Sequence, residues 1–278
     1  MTMDSLHESL ALDGSKGHYG RVIGGGWTFA DRVFGGYTAA LAATAARRES
    51  PHATLLALHV MFLEAARPGP LDVTVTDLRT GRTTWAGHTV AYQDGRPILT
   101  CDTWFGARGA AAASPTTPSP IDTTTSPPRP DAHPSLDWLR ELYPFLGVLE
   151  ERAVDYPCSA DETGGSRCIE VWARPAVPTG DDPFLAQIVE LILADAHLLD
   201  AAIRPLGLRA ALAVSLDLTV MWERPGLFLN PGWLNLVASA GESNDAFVAC
   251  TGRIRAQDGT LRATASQQGR IFPGWPSE

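Results

Sequence analysis

No run of apolar residues in this 278-residue chain approaches the roughly 20 that a bilayer-spanning helix needs. The opening stretch MTMDSLHESLALDGSKGHYG has acidic side chains where a secretory signal carries a basic start and an apolar core, so no such signal is expected. Cysteine is scarce. Cys101, Cys158, Cys168 and Cys250 show no C-x-x-C spacing and no dense framework, which argues against a zinc site and against a disulfide scaffold. Isolated thiols fit a reducing compartment, and a cytoplasmic protein without bound metal is the expectation. Basic charge is also short: 22 Lys and Arg against 31 Asp and Glu leave a net charge of −9. That argues against nucleic acid as the main partner, because a phosphate backbone needs a basic face. It leaves open a small phosphorylated ligand, which needs only a local group of arginines.

What the chain does have is core-forming material. Hydrophobic residues make up 45% of it, the level of a folded globular protein, and the length suits two domains of ordinary size. A compositional break separates them. Residues 107–134 read ARGAAAASPTTPSPIDTTTSPPRPDAHP, without apolar periodicity and with too many prolines for a helix interior or a central strand. This stretch is expected to be a connector between a domain over residues 1–106 and another over 135–278.

Each side of the connector follows one pattern. In the first half, the glycine pair Gly35-Gly36 opens the alanine-rich helix former YTAALAATAA, and four strand-like runs follow. In the second half, Asp182-Pro183 supplies an N-cap and a first-turn proline for FLAQIVELILADAHLLDAAI, again followed by strand-like runs. Residues match as well. His59-Val60-Met61-Phe62 answers Thr219-Val220-Met221-Trp222, each followed by a Pro-Gly turn, and Gln93-Asp94-Gly95 answers Gln257-Asp258-Gly259. Several matches in one order indicate a duplication. A lone helix buries its surface only if the sheet curls around it, and two such units can pair their sheets edge to edge. The expected class is α+β, in two tandem units.

The segments VFGGYTAALAATAA and RPGPLDVTVTDLRTGRTTWAGHTVAYQDGR resemble the first domain of type II acyl-CoA thioesterases and their thioesterase-like relatives. LADAHLLDA, SLDLTVMWERP and AQDGTLRATASQQGRIF resemble the second. The similarity covers most of the chain outside the first twenty or so residues and the connector. It implies a double hotdog fold and hydrolysis of an acyl-CoA or acyl-carrier-protein thioester in fatty acid or polyketide metabolism. No cofactor is implied beyond coenzyme A as part of the substrate, and hotdog sheets offer surfaces for a homo-oligomer. In that family an aspartate, a hydroxyl residue and a glutamine activate water; the matching positions are Asp195, Ser215 and Gln267. Serine replaces the family's usual threonine, while Leu218 and Glu223 stand where histidines are often seen.

The residues themselves leave alternatives. Asp195 lies either on a solvated stripe of an apolar helix or buried, where desolvation raises its pKa toward that of a useful base. Gln267 is an edge amide or faces the helix; its counterpart, counting from each QDG, is Thr103. Ser215 and Thr219 are expected on one strand face, but no G-x-S-x-G elbow makes Ser215 a nucleophile. Gly35, Gly36 and Tyr37 are candidates to line a substrate site at a helix start, where backbone N–H groups can meet a carbonyl, or simply form a tight turn into a packed helix. Thr219 and Gly269 join the substrate-binding candidates. Lone His59 and His197 are core or surface residues, or partners of Asp195 in a hydratase or dehydratase. Arg96, Arg204, Arg209 and Arg224 are solvated or reach coenzyme A phosphates. A non-catalytic acyl-binding protein would leave Asp195 exposed or salt-bridged away from any pocket.

Overall fold

The structure is a computed structural model that describes residues 6–107, 129–176, 179–223, 232–242 and 246–274. The proposed connector falls largely on residues 108–128 and so lies outside the described residues.

Short α1 (Leu6–Ser9) precedes strands β1 (Asp13–Ser15) and β2 (His18–Ile23) and the small hairpin β3 (Thr28–Phe29) and β4 (Arg32–Val33). The central helix of the first half is α2 (Gly35–Glu49), followed by β5 (Thr54–Phe62), β6 (Gly69–Thr80), β7 (Thr84–Gln93) and β8 (Arg96–Gly106). The second half begins with α3 (Leu139–Leu142), β9 (Leu149–Asp155) and β10 (Cys168–Pro175). Its central helix is α4 (Pro183–His197), with α5 (Asp200–Ile203) behind it. β11 (Ala211–Ser215), β12 (Asp217–Trp222), β13 (Leu234–Ala240), β14 (Phe247–Ala256) and β15 (Leu261–Pro273) complete the chain.

All strands except the small hairpin join one antiparallel sheet in the order β1-β2-β6-β7-β8-β5-β12-β15-β14-β13-β10-β9, with β11 also on β15. This order is a palindrome about the β5–β12 seam. The duplication therefore shows in space as well as in sequence. At the seam Thr219 pairs with His59, the two residues that the sequence repeat equates, so a pseudo-two-fold axis passes between them. Pairing β5 with β12 gives each half's inner strand the partner it would otherwise lack. The expected α+β double hotdog is the architecture observed.

The helices fill the curve of the sheet because their sequences suit close packing. Ala39, Ala40, Ala42, Ala43, Ala45 and Ala46 of α2 are fully buried, and small side chains let this helix lie near β5–β8 and against α4. α4 is apolar nearly all round, and Ile188, Leu191, Ile192 and Leu193 are buried; each contributes about 1.5–3 kcal/mol by leaving water. Its start is as expected: the Asp182 side chain accepts from Phe184 N at 2.9 Å, with proline in the first turn.

Both halves break their inner strand at the same place. β5 shifts register between Leu55 and Ala57 in its pairing with β8. In the second half, β11 ends at Ser215 and β12 starts at Asp217, with Leu216 between them. Counting from the His59–Thr219 equivalence, Leu56 and Leu216 are the same position. Such a bulge reverses the faces of the residues on either side of it.

Candidate active site

Four elements converge on the carboxylate of Asp195. It sits in the last turn of α4, where the helix meets the start of α2 from the other half. Gln267 on β15 donates through Nε2 to Asp195 Oδ1 at 2.6 Å and to Ser215 Oγ at 2.9 Å. Ser215 Oγ donates to the same Oδ1 at 3.3 Å. The backbone N–H of Gly36 donates to the carboxylate from the N-terminus of α2, whose own N-cap residue Phe34 supplies no side-chain cap. Asp195 is 8% exposed, and burial pushes its pKa up to about 6 against the lowering effect of these donors. Its carboxylate has no cationic partner among the described ion pairs. Gln267 Oε1 is buried without a protein partner, an acceptor left available in an otherwise satisfied cluster.

The glycines explain how the two halves come so close. A Cβ on Gly35 would stand 3.0 Å from Asp195 Oδ2 and 3.1 Å from Phe62 Cε1. One on Gly36 would stand 2.6 Å from the Phe34 ring and 3.1 Å from Asp195 Cβ. Both positions therefore need glycine for close approach rather than for backbone freedom. The Leu216 bulge does a similar service for Ser215. Leu218 and Val220 are buried on the helix side while Met221 is 51% exposed, so Thr219 points away from the helices. Without the break Ser215 would point away from Asp195 as well.

The expectation that Ser215 and Thr219 share a face is thus corrected: the bulge puts them on opposite faces. Thr219 Oγ1 bonds instead with His59 Nδ1 at 2.7 Å on the outer side of the seam. Tyr37 is buried elsewhere, stacked on Trp27 with centroids 4.4 Å apart and its hydroxyl donating to Ser9 O at 2.7 Å. Gly269 makes room for Leu199, whose Cδ2 lies 2.6 Å from where its Cβ would be. None of the three bonds to Asp195 among the described contacts, although Gly269 is the strand partner of Ser215. The sequence did not point to Phe62 as a site residue, although its repeat partner Trp222 also turns inward and donates to Glu190 Oε2 at 2.8 Å.

Neither candidate histidine is bonded to Asp195. His197 is fully buried and bridges Glu151 Oε1 at 2.5 Å and Asp200 Oδ2 at 2.9 Å, with the Tyr156 hydroxyl also on Asp200. Burial alone would lower its pKa, but the two carboxylates outweigh that and push it up to about 10. Arg204 is buried too, bonded to Asp155 Oδ1 at 2.6 Å and to Cys168 O at 2.5 Å, and is not available to a phosphate. Arg209 lies 3.8 Å from Asp161 on the surface, Arg96 is exposed at the start of β8, and Arg224 lies outside the described residues. No group of three or more potential metal ligands occurs among the described residues, and no described helix is long and apolar enough to cross a membrane.

Among the described residues the first half has no equivalent cluster. Leu55 stands for Ser215, and Thr103 for Gln267, its hydroxyl spent on Gly87 O at 3.4 Å. Counting from the first residue of each helix, Arg47 stands for Asp195. Gln187 of α4 closes this second position by donating to Leu55 O at 2.6 Å and accepting from Leu55 N at 3.3 Å.

Comparison with known proteins matches this chain to two family models. The acyl-CoA thioesterase N-terminal domain matches residues 23–106, and the acyl-CoA thioesterase C-terminal domain matches residues 122–271. No curated protein sequence is matched. Among solved structures, the acyl-CoA thioesterase II TesB2 from Mycobacterium marinum is 23% identical, with a TM-score of 0.77 over 98% of this chain and 99% of that one. A conserved protein of unknown function with a hot dog fold from Alicyclobacillus acidocaldarius is 22% identical, with a TM-score of 0.82 over 96% of this chain and 97% of that one. At these identities the structural likeness speaks for the fold.

Proposed function

The chain belongs to the acyl-CoA thioesterase family, and from that premise we propose that it hydrolyses an acyl-CoA or acyl-carrier-protein thioester with water activated by Asp195. The observation that carries this reading is the buried, uncompensated Asp195 carboxylate, bonded by Gln267 and Ser215 from one half and by the Gly36 N–H from the other. A base with a pKa of about 6 is ionised at neutral pH yet still basic enough to take a proton as bond formation proceeds. Water held against Asp195 and the free Gln267 Oε1 attacks the thioester carbonyl carbon, and Asp195 takes its proton. The partial positive charge at the N-terminus of α2 stabilises the oxyanion while Asp195 holds the proton. When the C–S bond breaks, the proton passes from Asp195 to the departing sulfur, leaving a carboxylic acid and a thiol. No metal, nucleic acid or membrane partner is part of this scheme, which suits a cytoplasmic enzyme working in fatty acid or polyketide metabolism.

The two other readings fit the geometry less well. A hydratase or dehydratase would need an imidazole at Asp195, and His59 and His197 are both engaged elsewhere. An acyl-binding protein without chemistry would not keep a buried, ionisable carboxylate clear of a cation.

Thiol release followed across short, long, branched and aromatic acyl-CoAs tests the proposal, with carrier-protein thioesters as the second set. At least one should turn over, and failure of every member of both sets would overturn it. The pH profile carries a further expectation. Because the base must be ionised, kcat/KM should rise as pH increases through about 6 and then level off. Gly35→Ala places a methyl group against Asp195 Oδ2 and the Phe62 ring, and kcat/KM should fall about tenfold or more while the fold is kept. Unchanged kinetics in this variant would mean that the Gly35 notch is not part of the reaction space.

A further inference from the structure

We propose that Phe62 decides which acyl groups reach Asp195, admitting chains unbranched at C2 and rejecting those branched there. The inference rests on the function proposed above and goes beyond it by naming the residue that reads the substrate.

Both oxygens of Asp195 have distinct surroundings. Oδ1 takes the side-chain donors Gln267 and Ser215. Oδ2 faces Gly35, and the point where a Cβ on Gly35 would stand touches Oδ2 at 3.0 Å and the Phe62 ring at 3.1 Å and 3.3 Å. A group small enough to sit at Oδ2 therefore lies against the edge of that ring. The water held at Asp195 and the carbonyl carbon it attacks approach to about 3–3.5 Å, which puts the carbonyl beside Phe62 and the next acyl carbon at its ring. That carbon is C2.

Phe62 is not free to swing aside as a surface side chain would be. Its backbone is fixed at the seam, where its N–H donates to Leu216 O at 2.9 Å opposite the bulge that turns Ser215 inward. Its ring packs against the core and is half-buried. Across the glycine pair, Phe34 closes the other side, since its ring blocks the Cβ position of Gly36 and is stacked on Phe145 with centroids 4.1 Å apart. The two rings thus flank the glycine pair beside Asp195, and close-packed rings resist even one extra methyl.

The test compares kcat/KM for butanoyl-CoA and 2-methylbutanoyl-CoA in the wild type, Phe62→Ala and Phe62→Trp. The wild type should favour the linear ester by about tenfold or more. Phe62→Ala should raise the branched-to-linear ratio by about tenfold, and Phe62→Trp should lower it. Phe62→Leu serves as a milder enlargement if the alanine variant does not fold. An active wild type with no linear preference, or ratios that stay the same in all folded variants, would overturn the role of Phe62 and leave the hydrolase reading standing. A wild type inert toward every thioester would overturn the hydrolase reading itself and this inference with it.

Discussion

Asp195→Asn is expected to lose about 10²–10⁴-fold in kcat/KM and at the same time to be more stable than the wild type at neutral pH. The two effects have one cause. Burial raises the Asp195 pKa from 3.8 to about 6, so the fold favours the protonated acid over the ion. The stability associated with the protonated form is present below the unfolded-state pKa and is lost as pH rises through about 6. At pH 7.5 the ion thus destabilises the fold by about 3 kcal/mol relative to a neutral group. Asparagine is neutral and keeps an oxygen for Gln267 and Ser215, but it loses an acceptor on the other branch, which offsets about 1 kcal/mol. A net gain of about 1–3 kcal/mol should appear in urea unfolding at pH 7.5 and fade below pH 4. A variant that is inactive and less stable at every pH would show that the carboxylate is held for structure.

The second large effect is expected at His197, where Gln should cost about 3–5 kcal/mol of stability because it leaves Glu151 and Asp200 buried without their cation. His197 has a folded-state pKa of about 10, raised above 6.5. Its contribution is therefore complete below pH 6.5 and disappears as pH rises through about 10. The stability gap between wild type and His197→Gln should be wide near pH 7 and nearly closed at pH 10. A gap independent of pH would mean that the imidazole is held neutral. The cluster ties the end of α4, two residues after Asp195, to β9 and α5, so this variant should also turn over thioester less efficiently.

Much of the fold was legible because the chain is written twice. The His59–Phe62 and Thr219–Trp222 matches and the two QDG turns mark equivalent strands in the two halves, and the structure sets the first pair side by side at the seam. Asp182-Pro183 named the start of α4, and the contrast between Gln267 and its counterpart Thr103 pointed to a polar cluster in the second half alone. What escaped was set by long-range packing. A single leucine, Leu216, interrupts ALAVSLDLTVMWE and reverses Thr219 relative to Ser215, yet nothing in its alternation of apolar and polar residues marks the break. His197 read as a lone histidine because its partners Glu151 and Asp200 are 46 and 3 residues away, on separate elements. The glycine pair pointed to a helix start, but only the folded chain shows its N–H turned to an aspartate of the other half.

The central claim is that one carboxylate, held between the two halves, is the base. Its most direct test is a carbon-13 NMR titration of the aspartate carboxylates alongside the pH dependence of kcat/KM in the same preparation. A carboxyl that titrates near pH 6, disappears in Asp195→Asn and coincides with the acid limb of the kinetics is the predicted result. An Asp195 signal that titrates below pH 4, or a kinetic limb far from its pKa, would contradict the account.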